Sequence, residues 1–386
     1  MLTWHIITGE YPPVMGGVSD YCQAVAEGLA RVGDDVHVWC PSCAEVPIAN
    51  GVTVHPHLGS LSLRDLRAAD RLLDGHSSPR RLLVQWVPHG FGYRSLNVAF
   101  CVWLWQRMRR GDQVEIMVHE PYLAFGEGGL RRMAAASVHR VMTVILIHAA
   151  RRIWIAIPEW ERRWRPYALG RDVPFEWLPI PSSLPVPPSE AVRRVRDRYA
   201  PHGRLVGHLG SYGTTSSRAL AEILPEILQR LPDSVVLLLG QHGEGFRDQL
   251  ARDHSALAAR VCACGALTTQ TLAEHVAACD VLVQPYPDGI SSRRTSAMAG
   301  LALGVPVVST AGHLTEPLWV ETGVVALGPA SDPRALIAHT LHLLSDDRAR
   351  RDLGARGRDL YTRCFDLRHT IGALRRAAQE PCESRL

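Results

Sequence analysis

The sequence predicts an α/β protein made of two doubly wound, Rossmann-like domains that face a central cleft. Three observations predict this fold class. Short β-branched runs alternate with longer amphipathic segments, which is typical of βαβ units and parallel sheets. A proline-rich stretch separates two such series. The length of 386 residues fits two domains of ordinary size.

The strands are predicted where short apolar runs stand between turn residues, and the helices where apolar residues recur three and four positions apart. The clearest predicted strands are residues 4–8, 35–39, 82–86, 115–119, 235–239 and 281–284. The clearest predicted helices are residues 19–32, 218–231 and 272–279. We therefore expect about six strands in each domain.

The domain boundary is predicted at residues 179–188, where five of the ten residues are proline. We expect an N-terminal domain over 1–180, a linker over 181–188 and a C-terminal domain over 189–365. Residues 366–386 have an arginine-rich helical pattern with no strand after it, so we expect a C-terminal helix that packs back on the N-terminal domain. Ligands of such sheets bind at the carboxyl ends of the strands.

The composition excludes several classes of enzyme. All 42 basic residues are arginine, so the chain has no lysine for a Schiff base, a Walker-A loop or a protein-kinase site. Any bound anion must be held by arginine, histidine, backbone N–H groups or helix N-termini. The net charge of +4 is too small to indicate a nucleic-acid partner.

Cysteine usage and hydropathy predict the compartment. The nine cysteines are an odd number, and residues 1–7 lack the basic start and apolar run of a signal peptide, so we expect a reduced, cytoplasmic location. The longest apolar run, residues 141–150, is shorter than the roughly 20 residues that cross a bilayer. We expect a cytoplasmic protein with no membrane span.

Two adjacent glycines, Gly16 and Gly17, follow the first predicted strand and precede a helix whose expected N-cap is Ser19. Glycines at such a turn let the backbone approach a ligand at the positive end of the helix. A turn that simply needs glycine is the alternative.

The strongest signal lies in residues 284–309. A predicted strand runs into Asp288 and Gly289, a helix opens with small polar residues, and a second strand begins at Pro306. We expect free N–H groups of residues 289–292 to converge on one point, to which Arg293 and Arg294 add positive charge. This combination suits a diphosphate, and Asp288 beside it suits the hydroxyls of a sugar.

These residues resemble the motifs of family 4 retaining glycosyltransferases, which have the GT-B fold. In that family two carboxylates with seven residues between them precede a run of the type Ala-Met-Ala-x-Gly-x-Pro-Val-Val. Here the run reads AMAGLALGVPVV over residues 297–308 and is three residues longer. The resemblance covers nearly the whole chain through the glycine pair and residues 119–121, 206–210, 264–267 and 312–316.

The resemblance implies a donor site and two catalytic candidates. His119 is implied near the donor sugar, and Asp288 is implied to bind the sugar hydroxyls. Residues 264–267 are implied beside the base, and the glycine pair and residues 290–292 against the diphosphate. The implied donor-binding residues are Gly16, Gly17, His208, Gly210, Ser211, Cys264, Ala266, Leu267, Gly289, Ile290, Ser291, Ser292, Arg293, Arg294, Ser296 and Glu316.

Two of these positions have simpler interpretations. His119 alone is more often a strand-end histidine with its hydrogen bonds satisfied. Glu316 is equally well explained as a carboxylate that the dipole favours at the start of a helix.

The sequence departs from the family at the places that hold the nucleotide. The second carboxylate is Ser296, and counting back from Pro306 places the pair at Ser291 and Ala299, so the second position is not acidic in either register. The family has an arginine that contacts the diphosphate after the first strand of the second domain, and this chain has His208 there. The family's lysine a few residues later has no counterpart. Arg293 is the first candidate to replace these cations, followed by Arg294 and Arg218.

A metal site is not predicted. Cys262, Cys264, His275 and Cys279 have a metal-like spacing but lack a second close cysteine pair. We expect no cofactor apart from the nucleotide-diphosphate sugar as co-substrate.

The first half of the chain contains nine of the ten tryptophans and an arginine-rich segment over residues 131–171. The stretch WERRWR over residues 160–165 suits stacking on a sugar acceptor or contact with an anionic leaflet. Core tryptophans and solvated helix faces are the alternative. The family resemblance places the acceptor, a glycan, a lipid-linked sugar or a small molecule, in this domain, with peripheral contact at the inner membrane face as a further prediction.

The implied reaction is metal-independent transfer of a sugar to an acceptor hydroxyl with retention of anomeric configuration. A nucleotide-sugar epimerase of the same fold is one alternative. A degenerate, non-catalytic sugar-nucleotide or glycan-binding protein is another, because Ser296 and His208 depart from the family pattern.

Overall fold

The computed structural model describes residues 1–14, 16–41, 51–91, 95–126 and 129–380. The strands are β1 (Thr3–Thr8), β2 (Asp35–Trp39), β3 (Val52–His55), β4 (Arg81–Trp86), β5 (Gln113–Val118), β6 (Arg152–Ile155), β7 (Phe175–Trp177), β8 (Arg204–Leu209), β9 (Ser234–Leu239), β10 (Val261–Ala263), β11 (Val281–Gln284), β12 (Val307–Ala311) and β13 (Ala326–Pro329). The α-helices are α1 (Gly17–Arg31), α2 (Leu63–Leu73), α3 (Val98–Arg109), α4 (Leu130–Ala149), α5 (Pro158–Trp164), α6 (Ser189–Tyr199), α7 (Thr214–Arg230), α8 (Gly243–Asp253), α9 (Thr269–Ala278), α10 (Thr295–Leu303), α11 (Pro317–Thr322), α12 (Pro333–Ser345), α13 (Asp347–Cys364) and α14 (Leu367–Gln379).

The chain divides into two compact units. Unit 1 comprises residues 1–179 together with 367–386, and unit 2 comprises residues 180–366. Residues 181–188 contain no helix or strand. The last described helix, α14, is therefore part of unit 1, although unit 2 precedes it in the chain. Residues 381–386 of the predicted C-terminal helix lie outside the described residues.

Each unit is built on one parallel sheet. The strand order is β3-β2-β1-β4-β5-β6-β7 in unit 1 and β10-β9-β8-β11-β12-β13 in unit 2. The central strands are buried almost throughout, which explains why they are continuous apolar runs. The predicted α/β class with doubly wound sheets is therefore confirmed. In both sheets the order reverses beside the first strand, between β1 and β4 and between β8 and β11.

Helix α14 is held on unit 1 by close packing and by arginines. Gly28 of α1 lies so close to Ile371 that an added Cβ would be 2.8 Å from its Cδ1 atom. Arg81 and Arg151 donate hydrogen bonds to carbonyls near the end of α14 at 2.9 and 2.8 Å. Cations at this end of a helix also interact favourably with its dipole.

Arg107 of α3 is fully buried and joins three carboxylates in unit 1. Its Nη1 atom is 3.1 Å from Asp70 and 2.7 Å from Asp74, and its Nε atom is 2.6 Å from Asp112. Arg80 also pairs with Asp112 at 2.9 Å. The planar guanidinium has five donors on three separate nitrogens, so it reaches acceptors on different sides, whereas an ammonium group has three donors on one nitrogen.

The start of α1 differs from the prediction. The helix begins at Gly17 with Gly16 as its N-cap, and Ser19 lies buried inside the first turn. The expected cap at Ser19 is wrong, because the extended backbone at Gly16 lets the helix begin earlier. No helix among the described residues is both long enough and apolar enough to span a membrane.

Candidate active site

The candidate site of unit 2 lies where its strand order reverses. Strands β8 and β11 are neighbours there, and the loops that follow them are residues 210–213 and 285–294. In open α/β sheets, ligands bind outside the carboxyl ends of the strands at such a switch point.

Asp288 forms ion pairs with two consecutive arginines in the loop after β11. Its Oδ2 atom is 2.6 Å from Nη2 of Arg293, and its Oδ1 atom accepts a hydrogen bond from Arg294. The Arg294 guanidinium also lies over the ring of Tyr286, 4.6 Å from its centroid. These three charged side chains are 15–24% exposed. The cluster has a net charge of +1 and is open to a ligand.

The two arginines are part of the loop and not of the helix that follows it. They precede α10, which begins at Thr295, so the rotation between successive helical residues does not separate their side chains. Both can therefore act on the same anion.

The expectation of free, converging N–H groups in residues 289–292 is wrong for three of the four. Gly289 donates to the Tyr286 carbonyl at 3.0 Å, and Ile290 donates to the Thr310 carbonyl at 2.8 Å. Ser292 donates to Glu316 at 2.9 Å. Residues 290–292 are fully buried, and buried N–H groups require partners. The N-cap residue of α10, Arg294, makes no side-chain hydrogen bond to the first turn, and the start of this helix suits an anion.

Gly289 permits the loop to pack against the segment after β12. Its φ angle is +88°, and an added Cβ would lie 2.2 Å from Thr315 Oγ1 and 2.3 Å from the Gly312 nitrogen. Leu314 donates its N–H to the Asp288 carbonyl at 2.9 Å. The backbone of Asp288 is thereby fixed, so its carboxylate is presented from a rigid position.

Glu316 is the N-cap residue of α11 and is 8% exposed. Its carboxylate accepts hydrogen bonds from the N–H and hydroxyl of Ser292 and, at 2.7 Å, from Nε1 of Trp319. Through these contacts the Glu316 carboxylate holds the loop before α10 against α11. Its proposed contact with a donor would have to be made alongside these bonds.

Ser296 and Ser291, which stand where the family pattern has carboxylates, have different surroundings. The Ser296 hydroxyl is 2.7 Å from the hydroxyl of Tyr286. The Ser291 hydroxyl is fully buried and has no hydrogen-bond partner within the described part of the chain. Tyr286 was not predicted, although its place two residues before Asp288, just after a strand end, is a signal that sequence reasoning can use.

His208 is buried at the end of β8 and does not act as a replacement for the missing cation. Its Nδ1–H donates to the Val283 carbonyl of β11 at 2.8 Å, and burial lowers its pKa to about 4. Its Nε2 atom has no partner among the residues described. An added Cβ on Gly210 would be 2.8 Å from that nitrogen, whereas Ser211 next to it is exposed. The histidine is therefore neutral at pH 7.

The residues implied beside the base follow β10. Cys264 donates its N–H to the Leu238 carbonyl at 3.0 Å, and its sulfur is 3.8 Å from the hydroxyl of Tyr199. Ala266 is exposed, and Leu267 packs against the core of unit 2. The exposed part of this loop is thus small and uncharged.

The predicted residues of unit 1 lie near its own switch point. His119 is 7% exposed and follows β5, where its Nε2–H donates to the side-chain oxygen of Gln85 at 2.9 Å. Its ring meets the ring of Tyr21 edge-on, with centroids 4.9 Å apart. Burial lowers its pKa to about 3, so His119 is neutral at pH 7. Sequence reasoning missed Gln85, a polar residue inside an apolar strand.

The glycine pair lies at the start of α1. An added Cβ on Gly16 would be 3.1 Å from the carboxylate of Glu10, whereas one on Gly17 would have no atom within 4 Å among the described residues. Gly17 is therefore open to a ligand, and Gly16 is crowded on the side of Glu10.

The aromatic and basic stretch at residues 160–165 is not a stacking surface. Trp160 and Trp164 are 1% and 0% exposed. Of the arginines between and after them, Arg163 pairs with Glu159 and Arg165 pairs with Glu161. The tryptophans are core residues, so the acceptor or leaflet interpretation of their rings is wrong.

Residues 203–346, which lie within unit 2, match the family model described as Glycosyl transferases group 1. The phosphatidyl-myo-inositol mannosyltransferase of Mycobacterium tuberculosis strain H37Rv is 26% identical over 320 residues, which cover 77% of this chain and 74% of that protein. Two solved structures are similar over 98% of this chain and 99% of theirs. They are the sucrose-phosphate synthase of Thermosynechococcus elongatus, with a TM-score of 0.72 and 17% identity, and HepE of Anabaena in complex with UDP and glucose, with a TM-score of 0.71 and 12% identity.

Proposed function

We propose, from the premise that this chain is a glycosyltransferase of the GT-B fold with a group 1 transferase domain in unit 2, that it transfers a hexosyl group from a nucleoside-diphosphate sugar to an acceptor hydroxyl with retention of anomeric configuration. Unit 2 would hold the donor. The observation that carries this proposal is the pairing of Asp288 with Arg293 and Arg294 beside the switch point of the unit 2 sheet.

The pairing allows two arrangements of the charged side chains, one with the arginines on Asp288 and one with the arginines on a diphosphate. Both oxygens of Asp288 accept hydrogen bonds from guanidinium groups. A diphosphate offers more negative charge than one carboxylate, and arginine binds phosphate through the same parallel N–H groups. Binding of the donor would draw the arginines to the diphosphate and release Asp288 to accept hydrogen bonds from sugar hydroxyls.

The transfer step needs charge stabilisation and positioning. As the glycosidic bond breaks, negative charge grows on the leaving diphosphate, where the two arginines and the uncapped start of α10 would stabilise it. The departing phosphate oxygen would take the proton of the acceptor hydroxyl on the same face of the sugar, which gives retention. Fixed arginine charges would supply the role that a divalent cation has in other transferases, so we propose that transfer is independent of metal.

The neutral histidines have positioning roles in this proposal. His119 keeps a neutral ring between Gln85 and Tyr21, so it can accept a hydrogen bond from a sugar through Nδ1 but cannot supply a positive charge at pH 7. The buried Nε2 of His208 and hydroxyl of Ser291 are polar atoms that a ligand or its water can satisfy.

The acceptor is proposed to bind to unit 1. The mycobacterial relative is named for a lipid that carries myo-inositol, and HepE is named with UDP and glucose. These names favour UDP-hexoses as the first donors to test, and phosphatidylinositol, soluble glycans and sugar phosphates as the first acceptors. Peripheral contact with a membrane stays a prediction, and it is based on the arginine content of unit 1.

The experiment is a transfer and hydrolysis assay over a panel of UDP-, GDP- and ADP-hexoses, with NMR of the product to identify its anomer. We expect turnover with one base, retention of configuration, and the same initial rate in Mg²⁺ and in EDTA. Inversion would overturn the mechanism, and a rate that requires Mg²⁺ would overturn the role of the arginines.

A non-catalytic sugar-nucleotide-binding protein is the second candidate, because Ser296 and Asp288 are both occupied by side chains of the same loop. It predicts that nucleoside diphosphates raise the thermal unfolding temperature while no donor is consumed, and that Asp288→Ala keeps the affinity for the nucleotide sugar. Donor consumption by the wild type that is lost in Asp288→Ala would exclude this candidate.

A further inference from the structure

Three histidines from separate parts of unit 1 meet at one edge of its sheet. His37 lies on β2, His55 ends β3, and His76 follows α2 in a turn. Each offers a ring nitrogen, and the three nitrogens lie within 4.8 Å of one another. Among the described residues, this is the set of histidine, cysteine and carboxylate side chains with the spacing of a metal site.

The sheet register explains why these side chains converge. His5 on β1 is the direct partner of His37, and Trp39 on β2 is the direct partner of His55. Side chains two residues apart on a strand share a face, so His37 and Trp39 point to the same side. His76 is then added from the turn after α2.

The distances are close to those that a tetrahedral metal ion needs. Nδ1 of His37 is 3.0 Å from Nε2 of His55. Zn–N bonds of about 2.0–2.1 Å place two ligand nitrogens roughly 3.3–3.4 Å apart in a tetrahedral site. His76 is half-buried in a turn, so rotation of its side chain can close the remaining gap, which is at most about 1.5 Å.

Asp35 gives His37 the orientation of a metal ligand. Its Oδ2 atom is 3.1 Å from Nε2 of His37, so the carboxylate accepts the Nε2 proton and leaves the Nδ1 lone pair directed at His55. Metal-binding histidines commonly donate their other ring N–H to a carboxylate in this way. The same contact therefore fixes both the tautomer and the direction of the ring.

Aromatic rings hold the other faces of the cluster. The ring of Trp39 stacks on His55 with centroids 4.1 Å apart, and the ring of His5 stacks on His37 at 5.1 Å. Nδ1 of His5 accepts the Trp39 N–H at 3.2 Å, so His5 forms part of the wall. Burial lowers the pKa of His55 to about 4, which leaves the neutral imidazole that metals bind.

We propose that His37, His55 and His76 bind one divalent transition-metal ion of the Zn²⁺ class, with a fourth position left for water. Three neutral imidazoles suit zinc, copper and nickel better than magnesium or calcium, which prefer oxygen ligands. The ion would tie β2, β3 and the turn after α2 together and so stabilise unit 1. This proposal replaces the expectation of no metal, which considered only cysteine-containing spacings.

The test is a Zn²⁺ titration of the full chain, purified without a histidine tag and treated with chelator, by isothermal calorimetry. We expect one ion per chain and a rise in the thermal unfolding temperature with Zn²⁺. His55→Gln and His76→Gln are each expected to weaken binding at least about 10-fold. Co²⁺ bound in the same place is expected to give the visible absorption of a tetrahedral site.

Two further variants keep the proposal falsifiable if a histidine variant folds poorly. Asp35→Asn retains all three imidazoles and is expected to weaken Zn²⁺ binding by about 10-fold to 100-fold. His57→Gln removes an exposed histidine two residues after His55 and is expected to bind Zn²⁺ as the wild type does. Affinity that is unchanged in Asp35→Asn, or lost equally in His57→Gln and His55→Gln, would overturn the site.

Discussion

Nη2 of Arg293 lies 2.6 Å from Oδ2 of Asp288. This contact joins the positive charge proposed for the diphosphate to the carboxylate proposed for the sugar. It means that a substitution of either residue changes the charge seen by the other. The same substitution should therefore change the affinity for the nucleotide and the affinity for the nucleotide sugar by different amounts.

Asp288→Asn is expected to change the affinities for the nucleoside diphosphate and for the nucleotide sugar in different ways. Loss of the carboxylate charge frees both arginines, so affinity for the nucleoside diphosphate alone should be equal to or higher than that of the wild type. Affinity for the nucleotide sugar should fall at least about 10-fold, because hydrogen bonds to a charged group contribute roughly 1.5–3 kcal/mol. Calorimetry with both ligands measures this difference. Parallel losses for both would contradict it.

Arg293→Ala is expected to weaken nucleoside-diphosphate binding by about 10-fold or more, since one charge-assisted hydrogen bond to phosphate is removed. The matched control is Arg218→Ala. The Arg218 side chain is 85% exposed and its ion-pair distance to Glu222 is 3.9 Å, so its removal should leave binding unchanged. The readout is the thermal shift at a fixed concentration of nucleotide. An equal effect of both substitutions would point to general surface charge.

Stability is expected to fall as the pH drops below 6.5 because of buried histidines. Burial lowers the pKa of His119 to about 3 and that of His208 to about 4, whereas an exposed histidine in the unfolded chain has a pKa of 6.5, so the unfolded chain binds more protons between pH 4 and 6.5. At pH 5 this costs up to about 2 kcal/mol for each histidine. Above about pH 7.5 the histidines are neutral in both states, so neither group contributes to the slope.

Urea unfolding at pH 5 and pH 7.5 checks this expectation. His119→Gln preserves a donor for Gln85, and His208→Asn preserves a donor for Val283, but neither replacement titrates. Each variant should lose less stability than the wild type between the two pH values. The same pH dependence in all three proteins would contradict the assignment.

Arg107→Lys is expected to destabilise unit 1 strongly. The single nitrogen of an ammonium group cannot occupy both the Nη1 position that bonds Asp70 and Asp74 and the Nε position that bonds Asp112, and each lost hydrogen bond to a charged group costs roughly 1.5–3 kcal/mol. Arg356→Lys is the control, because Arg356 forms an exposed pair with Asp352. Denaturant unfolding should show a large change for the first variant and almost none for the second.

Gly28→Val is expected to displace α14. Its side chain would overlap Ile371, and overpacking of this kind costs about 1–3 kcal/mol. Limited proteolysis should then remove the C-terminal helix faster than in the wild type. Gly245→Ala is the control, because an added Cβ there has no described atom within 4 Å.

Elements with local signals were predictable from the sequence. The predicted strands over residues 35–39 and 281–284 match β2 and β11 residue for residue. Helix starts were less accurate. Residue 218 was predicted as the start of a helix that begins at Thr214, because the turn residues before it do not show where the N-cap lies.

Contacts between distant segments were not predictable. The bond of Ser292 to Glu316 spans 24 positions, and the partnership of His37 with His55 spans 18. Both depend on the order and register of strands, which no local pattern specifies. The charged residues Asp288, Arg293 and Arg294 were identified because their types and proximity in the sequence were sufficient, although their mutual pairing was not foreseen.

The assignment of α14 to unit 1 has a consequence for synthesis on the ribosome. Unit 2 occupies a continuous stretch, residues 180–366, and can fold as soon as that stretch has emerged. Unit 1 receives helix α14 only after residues 367–379 have been made, which follow all of unit 2. A nascent chain must therefore carry an incomplete first unit, with the α14-facing surface around Gly28 uncovered, while the whole of the second unit is made. Any premature stop before residue 367 would leave that surface permanently exposed to chaperones and proteases.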